Sequence, residues 1–216
     1  MPIFVHLFLL NMHSNIKTII FDLGGVLLDL DTAAAVRSFK ELGFLDAHNY
    51  LGDYLQKGIF LEIEEGKLTI DEFYDKFREL SVNKNITNKQ IEEAWCKILL
   101  DIPNYKLDLL IQLRKKYRVF MLSNTNQIIA AYYTKHIFTK QGLTIDDYFD
   151  RRYVSYKIGC VKPYRGIFEY LIADSGIHPQ EALFLDDGKQ NIITAKEFGF
   201  HTYLVAPRED FRHLFQ

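Results

Sequence analysis

Four short apolar runs, rich in β-branched and aromatic residues, stand out along the chain: Ile16 to Asp22 (IKTIIFD), Arg118 to Ser123 (RVFMLS), Ala182 to Asp186 (ALFLD) and His201 to Val205 (HTYLV). Their length, and the glycine pair that follows the first, fit buried strands. Elsewhere the period lengthens. Ile167, Phe168, Leu171 and Ile172 recur at helical spacing after Pro163, and Ile192 and Ala195 lead to a stop at Gly199. Strands alternating with helices predict an α/β fold, a Rossmann-like parallel sheet flanked by helices on both faces.

Between Asp31 and Pro103 that alternation stops and only helix signals remain. Thr69 to Glu72 (TIDE) and Thr87 to Gln90 (TNKQ) fit capping boxes, in which the threonine oxygen and the acid or amide satisfy exposed backbone donors. Ile91, Ala94, Trp95, Ile98 and Leu99 then fall on one helical stripe, which places Trp95 in a core. The pattern predicts a small all-helical cap inserted after the first strand, spanning 32–103, with the sheet domain built from 16–31 and 104–216. Gly24 to Asp31 and Asp101 to Asn104 are the expected hinges. Phe60, Glu64 and Glu65 fall where a cap could face the sheet edge, although ordinary helix surface or core is the plainer reading.

Residues 1–15 read as an extension outside the fold. Met1 to Leu10 (MPIFVHLFLL) is apolar but too short to span a bilayer, and it lacks the basic start and cleavage site of a secretory signal. Met12, just before the first strand, reads as the true start. The whole chain of 216 residues suffices for one core with a small cap. A net charge of -2 leaves no electrostatic footprint for nucleic acid or an anionic membrane, and the basic stretch from Arg114 to Arg118 reads as a solvated helix end. The 17 Phe and 13 Tyr point to an aromatic core or pocket. Cys96 and Cys160 lie far apart in no metal-like spacing, as expected of two unpaired thiols in a reducing cytoplasm.

Ligands of open α/β sheets bind at the carboxyl ends of the strands. Here three strand ends carry polar residues: Asp22, then Ser123 and Asn124, then Asp186 and Asp187. Lys162-Pro163 opens a helix between the last two. Taken singly, each has a dull explanation as a cap, a turn, an acidic loop or a surface lysine. Together they do not. Carboxylates converging on one edge repel unless a cation sits among them, and hard oxygen ligands suit Mg²⁺. With a lysine and small hydroxyl and amide donors added, such a site is shaped to hold a phosphoryl group.

FDLGGVL at Phe21 to Leu27, LSNTN at Leu122 to Asn126, Lys162-Pro163 and FLDD at Phe184 to Asp187 resemble, in order, the four motifs of the haloacid dehalogenase-like superfamily. The likeness runs from Ile16 to Val205 and is nearest to bacterial sugar-phosphate phosphatases of the glucose-1-phosphatase type. It is also similar to the phosphatase domain of soluble epoxide hydrolase. The resemblance implies a Mg²⁺-dependent phosphatase in which Asp22 attacks phosphorus and becomes an aspartyl-phosphate. It makes Ser123 and the Asn124 backbone phosphoryl ligands, and Lys162 the charge neutraliser. Mg²⁺ would be held by Asp22, the Gly24 carbonyl and Asp187, with Asp186 direct or through water, and Asn191 would steady the loop. The implied substrate is a small phosphorylated metabolite, a sugar phosphate, turned over by a monomer or homodimer.

One position departs from the pattern. Phosphatases of this superfamily usually carry an aspartate two residues after the nucleophile, as general acid and base, and here Gly24 stands there. General acid/base help is worth about 10² to 10⁴ in rate. Glucose-1-phosphatase-type members share the glycine, and Asp29 or Asp31 offers a weak substitute, since turn and cap roles explain both. Two other readings compete. A 2-haloacid dehalogenase uses the same nucleophile without metal, but Asp186 and Asp187 would repel its anionic substrate. A catalytically weak binding or regulatory protein is favoured only by Gly24.

Overall fold

The computed structural model describes residues 15–52 and 55–216; the expected extension and its alternative start fall almost wholly outside them. Five parallel strands form the sheet: β1 (Thr18–Phe21), β2 (Arg118–Ser123), β3 (Arg151–Val154), β4 (Ala182–Asp186) and β5 (His201–Leu204), in the order β3-β2-β1-β4-β5. Along each strand alternate residues serve opposite faces. Ile19, Phe21, Val119, Met121, Leu183 and Leu185 join one apolar cluster, while Ile20, Phe120, Leu122 and Phe184 join the other. Both faces are therefore covered, which is why these strands read as continuous apolar runs.

β3 is the strand the sequence pattern does not announce. Its residues, Arg-Arg-Tyr-Val, are half charged because it lies at the sheet edge, with Arg151 and Arg152 exposed and Tyr153 and Val154 buried. The basic stretch from Arg114 to Arg118 is also less solvated than its composition suggests. Arg114 pairs with Asp150 at 2.7 Å, and the Arg118 guanidinium sits 4.7 Å over the Phe120 ring.

Between β1 and β2 run α1 (Thr32–Leu42), α2 (Gly58–Glu64), α3 (Ile70–Leu80), α4 (Asn88–Cys96) and α5 (Asn104–Leu113). Both capping boxes form: Thr69 and Thr87 accept from the N–H groups of Glu72 and Gln90, whose side chains accept from the threonine N–H groups in return. Phe60 and Trp95 are buried, with ring centroids 5.0 Å apart, and Phe39, Phe73 and Phe77 surround them. The predicted stripe overruns its helix. α4 stops at Cys96, and Leu99 instead bridges to Leu30 as an isolated antiparallel pair at the foot of the insertion.

After β2 come α6 (Gln127–Tyr132), continued by a wider π turn over Tyr133–Ile137, then α7 (Ile145–Tyr148), β3 and α8 (Ser155–Ile158). α9 (Arg165–Ser175) and α10 (Lys189–Glu197) flank β4, and Gly199, with φ of +90°, ends the turn after α10. The chain leaves β1 toward β2 on one side and returns to β4 on the other. That reversal opens a crevice at the carboxyl ends of β1 and β4, where sheets of this kind place ligands. Among the described residues no helix is long and apolar enough to cross a membrane, and both cysteines are free.

Candidate active site

Parallel register fixes the floor of the crevice. Phe21 pairs with Met121 on one side and Leu185 on the other, so the next residues, Asp22, Leu122 with Ser123, and Asp186, emerge level. Asp22 is held by its own backbone, its N–H donating to the Leu185 carbonyl at 2.9 Å, while its Oδ1 accepts from the Leu23 N–H at 2.6 Å. Oxygen atoms of Asp22, Asp186 and Asp187 lie within 4.8 Å of one another.

Lys162 reaches this group from the loop before α9. Its buried ammonium donates to Asp186 Oδ2 at 2.7 Å and lies 2.8 Å from Asp22 Oδ1. Burial works against its charge, but Asp186 and Asp22 outweigh that and hold its pKa above the ordinary lysine value. The Asp22 carboxyl is raised to about 8 overall: burial is the largest influence, Lys162 pulls it down, and Asp186 and Asp187 push it up. The floor thus carries more negative charge than one lysine balances.

Asp186 is fully buried and well occupied. Its Oδ1 accepts from the Gly188 N–H and from Asn191 Nδ2, both at 2.8 Å, in addition to the Lys162 contact on Oδ2. Asp187 is half-buried and lines the cavity together with Gly24, Ser123 and Asn124. Two glycines make this packing possible. A Cβ on Gly25, whose φ is +78°, would stand 2.1 Å from Asp187 Oδ2, and one on Gly188 would stand 2.6 Å from Asn191 Nδ2. At Gly24 the space a side chain would take is filled from the other side, since a Cβ there would lie 2.8 Å from Leu30 Cδ1.

The Asn124 side chain does something the sequence does not reveal. Its Nδ2 donates to the Lys162 carbonyl at 2.8 Å and its Oδ1 accepts from the Lys162 N–H at 2.7 Å, so it clamps the loop that carries the lysine. Only its backbone and the buried Ser123 hydroxyl are left to meet a ligand. Asp31 caps α1 through the Ala34 N–H, and Asp29 opens into a different pocket beside Gly25 and Arg208. Neither lines the cavity over Asp22.

Three contributors go unremarked in the sequence pattern. Asn126 caps α6, accepting from the N–H groups of Ile128 and Ile129, while its buried Nδ2 has no partner and lines the cavity. Its place inside LSNTN is the signal that could have singled it out. Gln56, from the insertion, also lines the cavity. Lys106 is buried under the loop after β1, donating to the Val26 carbonyl at 2.5 Å and standing 4.0 Å from Asp29; nothing in its neighbourhood in the sequence marks it.

Residues 16–199 match the family of haloacid dehalogenase-like hydrolases. The chain belongs to that family. A curated relative, D-ribitol-5-phosphate phosphatase of Bacteroides thetaiotaomicron, is 41% identical over 197 residues, covering 91% of this chain and 95% of the relative. Among solved structures, a haloacid dehalogenase family enzyme of the same organism, in complex with magnesium and inorganic phosphate, superposes with a TM-score of 0.88 at 41% identity. It covers 93% of this chain and all of its own. A haloacid dehalogenase-like hydrolase of Porphyromonas gingivalis superposes with a TM-score of 0.87 at 38% identity, covering 93% of this chain and 96% of its own.

Proposed function

We propose that this haloacid dehalogenase-like hydrolase is a magnesium-dependent phosphatase that removes phosphate from a small phosphorylated polyol or sugar through an aspartyl-phosphate on Asp22. The observation that carries the reading is the Lys162 ammonium wedged 2.8 Å from Asp22 and 2.7 Å from Asp186 beneath a cavity lined by Ser123, Asn124 and Asp187. The activity of the ribitol-phosphate relative and the magnesium and phosphate held by the neighbouring structure support it.

The donor set fits magnesium. It is all oxygen, it is compact, and its carboxylates exceed the single lysine beside them. Asp22, Asp187 and the Gly24 carbonyl would hold the ion. Asp186, with both oxygens engaged, would act from behind through Lys162, Gly188 and Asn191. Bound there, the cation supplies the positive charge that lets a carboxylate approach a phosphoryl dianion.

The protein's own groups then divide the work. Asp22 is oriented by the Leu23 N–H and Lys162 to attack along the axis of the cavity. The Ser123 hydroxyl and Asn124 backbone take phosphoryl oxygens, and Lys162 follows the negative charge as it moves from nucleophile to phosphoryl group. We take 32–103 as the cap that closes over this floor and sets the substrate.

Phosphate release from ribitol 5-phosphate, sugar 1-phosphates and sugar 6-phosphates, each with Mg²⁺ and with EDTA, tests the reading. Metal-dependent turnover is expected, with Asp22→Asn silent at unchanged melting temperature. Full activity in Asp22→Asn, or silence of the folded, metal-loaded wild type, would reject it.

A further inference from the structure

Gly24 leaves the floor with no acid to protonate a departing alcohol, yet an alkoxide is a poor leaving group. Three carboxyl groups line the cavity among the described residues: Asp22, Asp187 and Glu64. The first two belong to the floor. Glu64 comes down from the cap at the end of α2. Glu62 pairs with Lys76 at 2.8 Å and the largely buried Glu65 with Lys67 at 2.6 Å, and neither lines the cavity, whereas Glu64, 8% exposed, does.

Its position is fixed by the backbone. Gly66, with φ of +66°, lets the turn after α2 press against α8, so closely that a Cβ there would lie 2.3 Å from the Tyr156 carbonyl. Tyr156 stands six residues before Lys162, so the end of α2 is seated on the segment that carries the lysine. The reaction geometry completes the case. In-line displacement puts the leaving oxygen opposite the nucleophile. With Asp22 on the floor, that oxygen faces the cap.

We infer that Glu64 is the proton donor to the leaving oxygen, an assignment that rests on the phosphatase reading above. In the first half-reaction an Asp22 carboxylate oxygen bonds to phosphorus, the bond from phosphorus to the substrate oxygen breaks, and the Glu64 proton passes to that oxygen, releasing the alcohol. In the second, water attacks the aspartyl-phosphate, its proton returns to the Glu64 carboxylate, and the bond from phosphorus to Asp22 breaks to give inorganic phosphate. In the metal-free protein burial, opposed by Lys162 and reinforced by Asp22 and Glu65, raises the Glu64 carboxyl to about 8, the direction a proton donor needs.

The test compares leaving groups in the first turnover of Glu64→Gln, measured by rapid quench on full-length protein loaded with Mg²⁺. Release of ribitol from ribitol 5-phosphate should slow by about 10² to 10⁴-fold. Release of nitrophenol from p-nitrophenyl phosphate, which needs no proton, should stay within about threefold of wild type as a one-equivalent burst, followed by slow turnover. Glu64→Asp should recover part of the ribitol rate. Equal slowing with both substrates, no slowing with either, or a change confined to KM would overturn the assignment while leaving the phosphatase standing. A wild type inactive on both substrates would remove the phosphatase reading itself, and the assignment with it.

Discussion

Each polar residue of the floor does two jobs, and its substitution separates them. Asn124 spends its whole side chain on the Lys162 backbone, so Asn124→Ala should leave the lysine loop loose. Losing two half-buried hydrogen bonds is expected to cost about 1–3 kcal/mol of stability, read by urea unfolding, together with a fall in kcat; an unchanged kcat would mean that the clamp is irrelevant to turnover. Asn126 caps α6 with its oxygen and offers its nitrogen to the cavity. Asn126→Asp keeps the cap and removes the donor. If that nitrogen meets a substrate oxygen, kcat/KM should drop by about 10- to 100-fold, the equivalent of one charge-assisted bond, at a melting temperature close to wild type. Neither double role is legible in LSNTN as a string. The motif announces small polar donors at a strand end, but which atom faces the ligand depends on where the Lys162 loop passes.

At the scale of elements, legibility followed the run of apolar residues. β1, β2 and β4 lie between helices on both faces, so their sequences are apolar throughout and their ends, with the site residues, could be placed to within two residues. β3 escaped because half of it is Arg151-Arg152; β5, the other edge strand, is no better buried but keeps the short β-branched and aromatic run that marks it. Two helices of the insertion, α3 and α4, were visible through their capping boxes, yet the way α2 docks on α8 was not, because that contact is made by a glycine turn and a carbonyl, neither of which carries a periodic signal. The docking can be probed directly. Gly66→Ala combines an unfavourable positive φ with a collision against backbone, and it should lower activity by displacing the end of α2 while the sheet domain stays folded. Near-ultraviolet circular dichroism with kcat would register it; wild-type values for both would show that the cap position is set elsewhere. Phe60→Ala, in the aromatic cluster of the helical insertion, should cost about 3–5 kcal/mol by chemical denaturation.

For the molecule as a whole, two buried carboxyls raised to about 8, Asp22 and Glu64, fix the sign of the pH response of the metal-free protein. Between the ordinary carboxyl range and pH 8 the folded state binds more protons than the unfolded chain, so their contribution is complete at low pH and is lost as pH rises toward 8. Thermal melts in EDTA should therefore fall from pH 5 to pH 8, by an amount on the order of a few kcal/mol in stability, and level off above. Glu64→Gln should flatten part of that slope. Saturating Mg²⁺ should raise the melt most at the alkaline end, where Asp22 is already ionised, with a gain of about 2.7 kcal/mol at one hundred times Kd. A melt that climbs with pH in EDTA would contradict both assignments.

The Leu30 methyl that crowds Gly24 makes the missing acid a matter of one rotamer. Gly24 has no left-handed backbone, and the atom a Cβ there would meet is the tip of a half-buried leucine that can turn aside. Gly25 next door is the opposite case, with a positive φ and a carboxylate in the way. A side chain can therefore be grafted at position 24 far more readily than at position 25, and the loop accepts new chemistry at one of its two glycines only.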